Sequence, residues 1–283
     1  MKKLQRTLTL PAAIAISIGG MLSGIFVLPG IAVGITGSSV WLAFLVAALC
    51  ILPAVLSKSE LATAMPKSGG TYVYIERAFG PLFGTVSGLG LWLSLLLKSA
   101  FSLVGLSAYL YVVVQIDEGL SKIVALISLG LILILNVFGV KKVGNTQLAI
   151  VTVSIVSLLL VIAFGFNSFD SEMLSPVFSD GNYGFISGVA FLYISYAGVT
   201  KVAAVAGEIK NPEKNLPRSM LISLFLITVV YVLVALVLVG NVEASALSTD
   251  IRPIYTLSKV LGGEAFGYAA GIVGVITLLS MAN

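Results

Sequence analysis

Two lysines and two clusters of small residues are the parts of this sequence placed to do chemistry inside long apolar stretches. Lys98 has 20 uncharged residues before it and 18 after it, and Lys201 directly follows Ser195-Tyr196-Ala197-Gly198-Val199-Thr200. A charge at the centre of a bilayer costs about 2.5–3.5 kcal/mol on insertion scales, and a lysine midway along a long helix snorkels with difficulty. Each lysine is therefore expected to face the protein interior or a water-filled cavity, as part of a functional pathway, in a structural ion pair or capped by carbonyls. The small-residue clusters offer main-chain chemistry. Gly19, Gly20, Ser23 and Gly24 fall within six residues, and each glycine weakens a helix by about 1 kcal/mol against alanine. The Ser195–Lys201 stretch repeats the pattern. An unwound turn frees N–H groups at the start of one half-helix, which attract anions, and carbonyls at the end of the other, which attract cations. The competing use of Gly20 and Gly24, four apart, is close packing between helices.

Other chemistries are excluded by residue type. The 283 residues include no histidine and a single cysteine, Cys50, inside an apolar run. That removes a histidine base, a cysteine–histidine dyad and a cysteine-rich metal site. Cys50 reads as a small buried or lipid-facing hydrophobe. No metal ligand set, cofactor motif or paired intramembrane carboxylates is visible, so an enzyme is not expected. Glu60 and Glu76 read as partners of Lys67 or Arg77 near helix ends, or as a gate, and Trp41 and Trp92 as packing residues. No basic stripe with interleaved aromatics marks a nucleic-acid surface.

The elements that must position these residues follow from where charge is missing. Hydrophobic residues make up 58% of the chain, charged residues only 10%, and mean hydropathy is +1.10, where a soluble domain carries about 25% charge. Residues 7–57 contain no charged side chain. That is too long for one span of about 20 residues, and Ile35-Thr36-Gly37-Ser38-Ser39 divides it. Uncharged runs predict eight helices, at about 10–34, 40–64, 81–115, 120–140, 144–166, 183–207, 217–240 and 262–283. The chain is thus read as an all-α polytopic membrane protein. Eleven Lys and Arg residues fall at the N-terminus and in the loops after the second, fourth and sixth helices, against three (Lys122, Arg252, Lys259) in the opposite loops. This bias places the N-terminus in the cytoplasm. The net charge of +4 reflects that bias.

Three motifs carry a family resemblance. They are Ser23-Gly24-Ile25-Phe26 with Pro29-Gly30, Pro66-Lys67-Ser68-Gly69-Gly70-Thr71-Tyr72-Val73-Tyr74 to Phe79-Gly80, and Gly207-Glu208-Ile209-Lys210-Asn211-Pro212-Glu213-Lys214-Asn215-Leu216-Pro217-Arg218. In order and on matching sides, they resemble the amino acid–polyamine–organocation transporter superfamily over nearly the whole chain. The resemblance implies a five-plus-five inverted-repeat transporter fold. Residues 1–166 would form the first five-helix repeat, 167–182 an outer loop and 183–283 a partial second repeat. Because the sequence stops within an apolar run at Leu279-Ser280-Met281-Ala282-Asn283, the fold is expected to be truncated in helix 8. A short variant that works as an oligomer is the alternative.

The resemblance also assigns roles. Helices 1 and 6 would be broken, as expected where Gly-interrupted segments occupy matching positions of two halves. Ser23 and Gly24, followed by Ile25, would hold a substrate carboxylate through main-chain N–H groups. Carbonyls near Gly19 and Gly20, and near Ile194 and Ala197, would face its ammonium. Leu22 departs from the family's usual glycine and would narrow the pocket. Tyr196 is a candidate wall or gate, or simply a core tyrosine. Gly198 would permit the break, and Thr200 stands where many relatives carry Glu. Some proton-coupled relatives hold a lysine in helix 5, and here Ser154 falls at that position. Either Lys98 or Lys201 would replace that cation, or sodium would bind, with Ser280 a possible hydroxyl ligand. The expected partners are an amino acid, H⁺ or Na⁺, and the lipid bilayer of the cytoplasmic membrane. With no acidic residue at either break, neutral amino acids are favoured over polyamines. A sensor or membrane subunit on the same fold is the competing function. A channel would favour a continuous polar lining, which the sequence lacks.

Overall fold

The structure is a computed structural model that describes residues 6–65, 69–114, 119, 120, 122–124, 126, 127, 130 and 140–281. The architecture is all-α. Its described helices are α1 (Leu10–Thr36), α2 (Val40–Ala64), α3 (Thr71–Phe79), α4 (Pro81–Val114), α5 (Val140–Asn167), α6 (Gly181–Tyr193), α7 (Pro212–Val239), α8 (Ala244–Leu247) and α9 (Pro253–Met281). A 3₁₀ segment, Ile194–Glu208, continues α6, and short 3₁₀ turns lie at Gly37–Ser39 and Glu172–Leu174. Among the described residues, six helical stretches are long and apolar enough to cross a membrane. The first, Leu10–Ala64, contains both α1 and α2. At about 1.5 Å per residue each of these spans a hydrocarbon core of about 30 Å. The protein is a multi-pass membrane protein.

α1 is the central helix. Every residue from Ser17 to Gly30 is buried, and α1 packs against the 3₁₀ segment, α7, α5, α9 and α6. α2 lies mainly along α7, and α4 along α9 and α3. The outer face of α4 exposes Leu82, Phe83, Val86, Leu89, Trp92, Leu93, Leu96 and Leu97, an apolar surface suited to lipid. Cys50 is likewise exposed. Hydroxyls bond carbonyls of neighbouring helices: Ser17 Oγ to Val199 O (3.1 Å), Ser102 Oγ to Leu278 O (2.9 Å) and Tyr109 Oη to Phe26 O (2.8 Å). Such bonds join helices where lipid offers no partners. Just before α1, Leu8 forms a parallel bridge with Ile209. Leu8 N donates to Glu208 O and Lys210 N donates to Leu8 O, both at 2.9 Å.

Several boundaries differ from the sequence reading. The eighth expected helix starts at Pro253 rather than 262, and is kinked at Gly262 (φ −139°, ψ 17°) and Gly263 (φ 71°, ψ −168°). Across that kink Lys259 pairs with Glu264 at 2.7 Å on the surface. α7 begins five residues early, with Pro212 in its first turn, where a missing N–H costs nothing. α3 and α8 were not expected; both are short and lie between spans. The α3 residue Tyr72 hydrogen-bonds Glu76, whose carboxylate holds the phenol above its ordinary range. Most of the expected fourth helix, and Lys67, lie outside the described residues.

The Gly263 backbone lies in a region open essentially to glycine alone, yet a Cβ there would meet no atom within 4 Å. Gly263→Ala should therefore destabilise the protein by about 1–3 kcal/mol through backbone strain alone. A thermal unfolding scan in detergent reads this, and an unchanged midpoint would show that the kink is not held.

Candidate functional site

The site grows from one crossing. Gly20 of α1 and Gly198 of the 3₁₀ segment bring two main chains together without side chains between them. A Cβ built on Gly198 would lie 2.0 Å from Gly20 O, and one on Gly20 would lie 3.0 Å from Gly198 O. One turn on, a Cβ at Gly24 would lie 3.0 Å from Ser195 Cβ and 3.2 Å from Tyr231 Oη. A Cβ at Gly19 would strike the Gln147 amide at 1.8 Å. The glycine cluster thus serves close approach, and the expected break in helix 1 is corrected: α1 is α-helical from Leu10 to Thr36. Its carbonyls are met by side chains from other helices instead. Gly20 O accepts from Lys98 Nζ (2.8 Å), Met21 O from Tyr231 Oη, and Phe26 O from Tyr109 Oη.

The expected interruption of helix 6 takes the form of a change in winding. α-Helix gives way to 3₁₀ at Ile194, and Val205 leaves helical geometry (φ −105°, ψ 19°). Runs of 3₁₀ beyond three or four residues are uncommon and mark strain or a hinge; this one covers 15 residues. Its tighter turn carries Gly198 onto α1 and leaves Ser195 facing Gly24.

Beside the crossing lies a cleft of about 230 Å³. α4 contributes Ser94, Leu97, Lys98 and Phe101, whose i, i+3, i+4, i+7 spacing forms one helix face. α1 contributes Ser23, Gly24 and Leu28, α6 contributes Phe191, and the 3₁₀ segment contributes Ile194 and Ser195. A second cleft of about 230 Å³ lies on the other side of Lys98, lined by Gly20, Trp92, Leu95, Leu96, Ser99, Gly198 and Lys201. Lys98 and Lys201 are close enough to repel. Among the described residues neither has an acidic partner.

The structure brings Gly20, Ser23, Gly24, Ile194, Gly198, Lys98 and Lys201 to these clefts. Leu22 and Ile25 are buried in the core. Tyr196 is fully buried, donates to Phe44 O of α2 at 3.0 Å and packs its ring on Tyr231. Ala197 is exposed, and Thr200 accepts from Lys58 Nζ at 3.5 Å. Ser154 and Ser280 lie apart from the lysines at the α5–α9 seam. Ser154 Oγ is 2.6 Å from Thr277 Oγ1, and Ser280 Oγ donates to Gln147 Oε1 at 2.8 Å. Sequence reasoning missed Ser94, Phe101, Phe191 and Ser195 as lining residues. The α4 residues could have been found by helical spacing from Lys98. The sequence marks Ser195 only as the first residue of the Ser195–Lys201 stretch, and its position opposite Gly24 selects it as a lining residue.

The crossing makes an asymmetric prediction. Gly198→Ala would push a methyl into main chain that cannot yield, whereas Gly20→Ala meets Gly198 at the edge of tolerance. Overpacking costs about 1–3 kcal/mol or more. Gly198→Ala should therefore lose folded protein in size-exclusion and thermal assays, with Gly20→Ala much milder. Equal behaviour of the two would show that the crossing is looser than described.

Comparison with known proteins gives the family. The profile of the amino acid permease family matches residues 12–283. The chain is 28% identical to the serine/threonine exchanger SteT of Bacillus subtilis and 28% identical to the branched-chain amino acid permease BcaP of Lactococcus lactis. In each case 99% of this chain aligns with 65% of the relative. It is 26% identical to the chloroplastic cationic amino acid transporter 7 of Arabidopsis thaliana, over 99% of this chain and 53% of that protein. The chain thus spans about 65% of the length of the first of these relatives. With a family profile matched from the start of α1 to residue 283, over a bundle of apolar helices, the chain belongs to the amino acid permease family.

Proposed function

We propose that the protein is a secondary active transporter that carries neutral amino acids across the cytoplasmic membrane by alternating access about the α1–3₁₀ crossing. The observation that carries this reading is a cleft of about 230 Å³ set against two glycine-rich main chains at the centre of the bundle. Three glycines at the crossing weaken α1 there, since each costs about 1 kcal/mol against alanine. We take that point as the place where a helix that is continuous here opens. Relatives named for serine and threonine and for branched-chain amino acids support a neutral substrate. So does the lining: two lysines and no acidic side chain leave a cationic substrate without a partner.

The remaining features fit the same reading. Residues 1–166 form the first repeat and 183–283 part of the second, joined by 167–182, with the N-terminus cytoplasmic by the bias of Lys and Arg. Coupling to a proton or sodium ion has two candidate places, the lysines Lys98 and Lys201 or the hydroxyls of Ser154, Thr277 and Ser280 at the α5–α9 seam.

The test uses the complete protein in proteoliposomes under separate proton and sodium gradients. A neutral L-amino acid should accumulate, and its decarboxylated amine should compete at least about tenfold less well, the scale of one charged hydrogen bond. Equal competition by the amine would overturn recognition of a carboxylate. Binding without uptake under any gradient would favour a sensor or membrane subunit.

A further inference from the structure

We infer that the second cleft, the one shared by Lys98 and Lys201, holds a small monovalent inorganic anion such as chloride as the counter-ion of the two lysines. The inference stands independently of which solute the protein carries. The cleft measures about 230 Å³, and both lysines line it. Lys98 is anchored there by its bond to Gly20 O at 2.8 Å, since Gly20 lines this cleft and not the first. That bond uses one of the three donors of the ammonium and leaves two. Lys201 has no hydrogen bond or ion pair among the described residues, so its ammonium donors are uncommitted.

Two positive charges without a negative one are the second sign of a ligand. The lysines are close enough to repel, and among the described residues neither pairs with an acidic side chain. Both belong to stretches long and apolar enough to cross a membrane, Pro81–Val114 and Gly181–Glu208. Charges repel and attract more strongly in such surroundings than in water, and lysines within membrane spans pair with other groups almost without exception. An anion seated between them turns one repulsion into two attractions and takes its hydrogen bonds from the ammonium donors.

The rest of the lining sets the class of anion. An amino acid would carry its own ammonium into a cleft that already holds two, with no acidic side chain in the lining to receive it. Donors other than the ammoniums are scarce. Ser99 lines the cleft, but its Oγ gives its proton to Leu95 O at 3.0 Å. Trp92, Leu95 and Leu96 supply a largely apolar wall. A strongly hydrated dianion such as sulfate would lose most of its water here without replacement, whereas a weakly hydrated halide loses least.

The anion joins α4 to the 3₁₀ segment, so its binding can be read as stability. The complete protein, purified in detergent without amino acid, is unfolded thermally at constant ionic strength while gluconate is replaced by chloride or bromide. The wild-type midpoint should rise saturably by about 2–5 °C, and radiolabelled chloride should be retained in equilibrium dialysis. Sulfate should give no such rise. Lys201→Met removes one charge without breaking any hydrogen bond described above, and should lose both the rise and the label. Lys201→Arg keeps the charge and should keep both. Equal midpoints in chloride and gluconate, a rise shared by sulfate, or a rise preserved in Lys201→Met overturns the site. Competitive displacement of the label by L-leucine would show that the cleft takes the transported solute instead. Where Lys201→Met does not fold, the wild type decides alone, and failure to retain label overturns the inference.

Discussion

The contact between two bare main chains, at Gly20 and Gly198, is the constraint on which the rest of this structure depends. With no side chain between them, α1 and the 3₁₀ segment sit closer than helices with side chains at the contact allow. That closeness has two results. It buries α1 on all sides from Ser17 to Gly30. It also leaves the carbonyls of α1 within reach of long side chains on more distant helices, so that Lys98 on α4 and Tyr231 on α7 bond successive residues, Gly20 and Met21. α1 is gripped through its backbone from several directions, which is how a glycine-rich helix stays wound.

Many polar groups of the interior follow one logic, and three at the crossing depart from it. Serine and tyrosine hydroxyls join helices by donating to carbonyls, as in Ser17 to Val199, Ser102 to Leu278 and Tyr196 to Phe44. Each such bond contributes only about 0.6 kcal/mol on average in membrane proteins, so their joint effect is to fix register more than to supply stability. Ser195, Lys98 and Lys201 break the pattern. Among the described residues the Ser195 hydroxyl, like those of Tyr74 and Ser258, lacks a hydrogen-bond partner, and the two ammoniums lack counter-charges. Ser195 and the two lysines lie at the same crossing, where satisfying them internally would fill the clefts.

The spans were legible in the sequence because lipid enforces them: about 20 uncharged residues in a row have few other uses. Hence α2 was placed at its observed limits, and α4 ends within a residue of expectation. The first part of α9 carries Lys259 and ends at the Gly262–Gly263 kink, so a count of uncharged residues finds only the apolar part beyond it. α3 was missed because nine residues outside the apolar spans leave a weak pattern. The glycines of α1 were read as a break. Local sequence does not separate a glycine that unwinds from one that admits a neighbour, since the deciding partner, Gly198, lies far along the chain. Lys98 stood out at once, because an ammonium in an apolar run has few explanations. Ser195 did not, because a serine in a membrane helix has many.

The bridge between Leu8 and Ile209 bears on how the central pair can move. Two backbone hydrogen bonds tie Leu8, two residues before α1, to Glu208 and Lys210 at the end of the 3₁₀ segment. Sliding α1 along its neighbour like a piston would break both bonds, whereas rocking about that end would keep them. A swing about that end would displace α1 more with distance from it, as in a pair of tongs, and the Gly20–Gly198 contact lies farther along the helix.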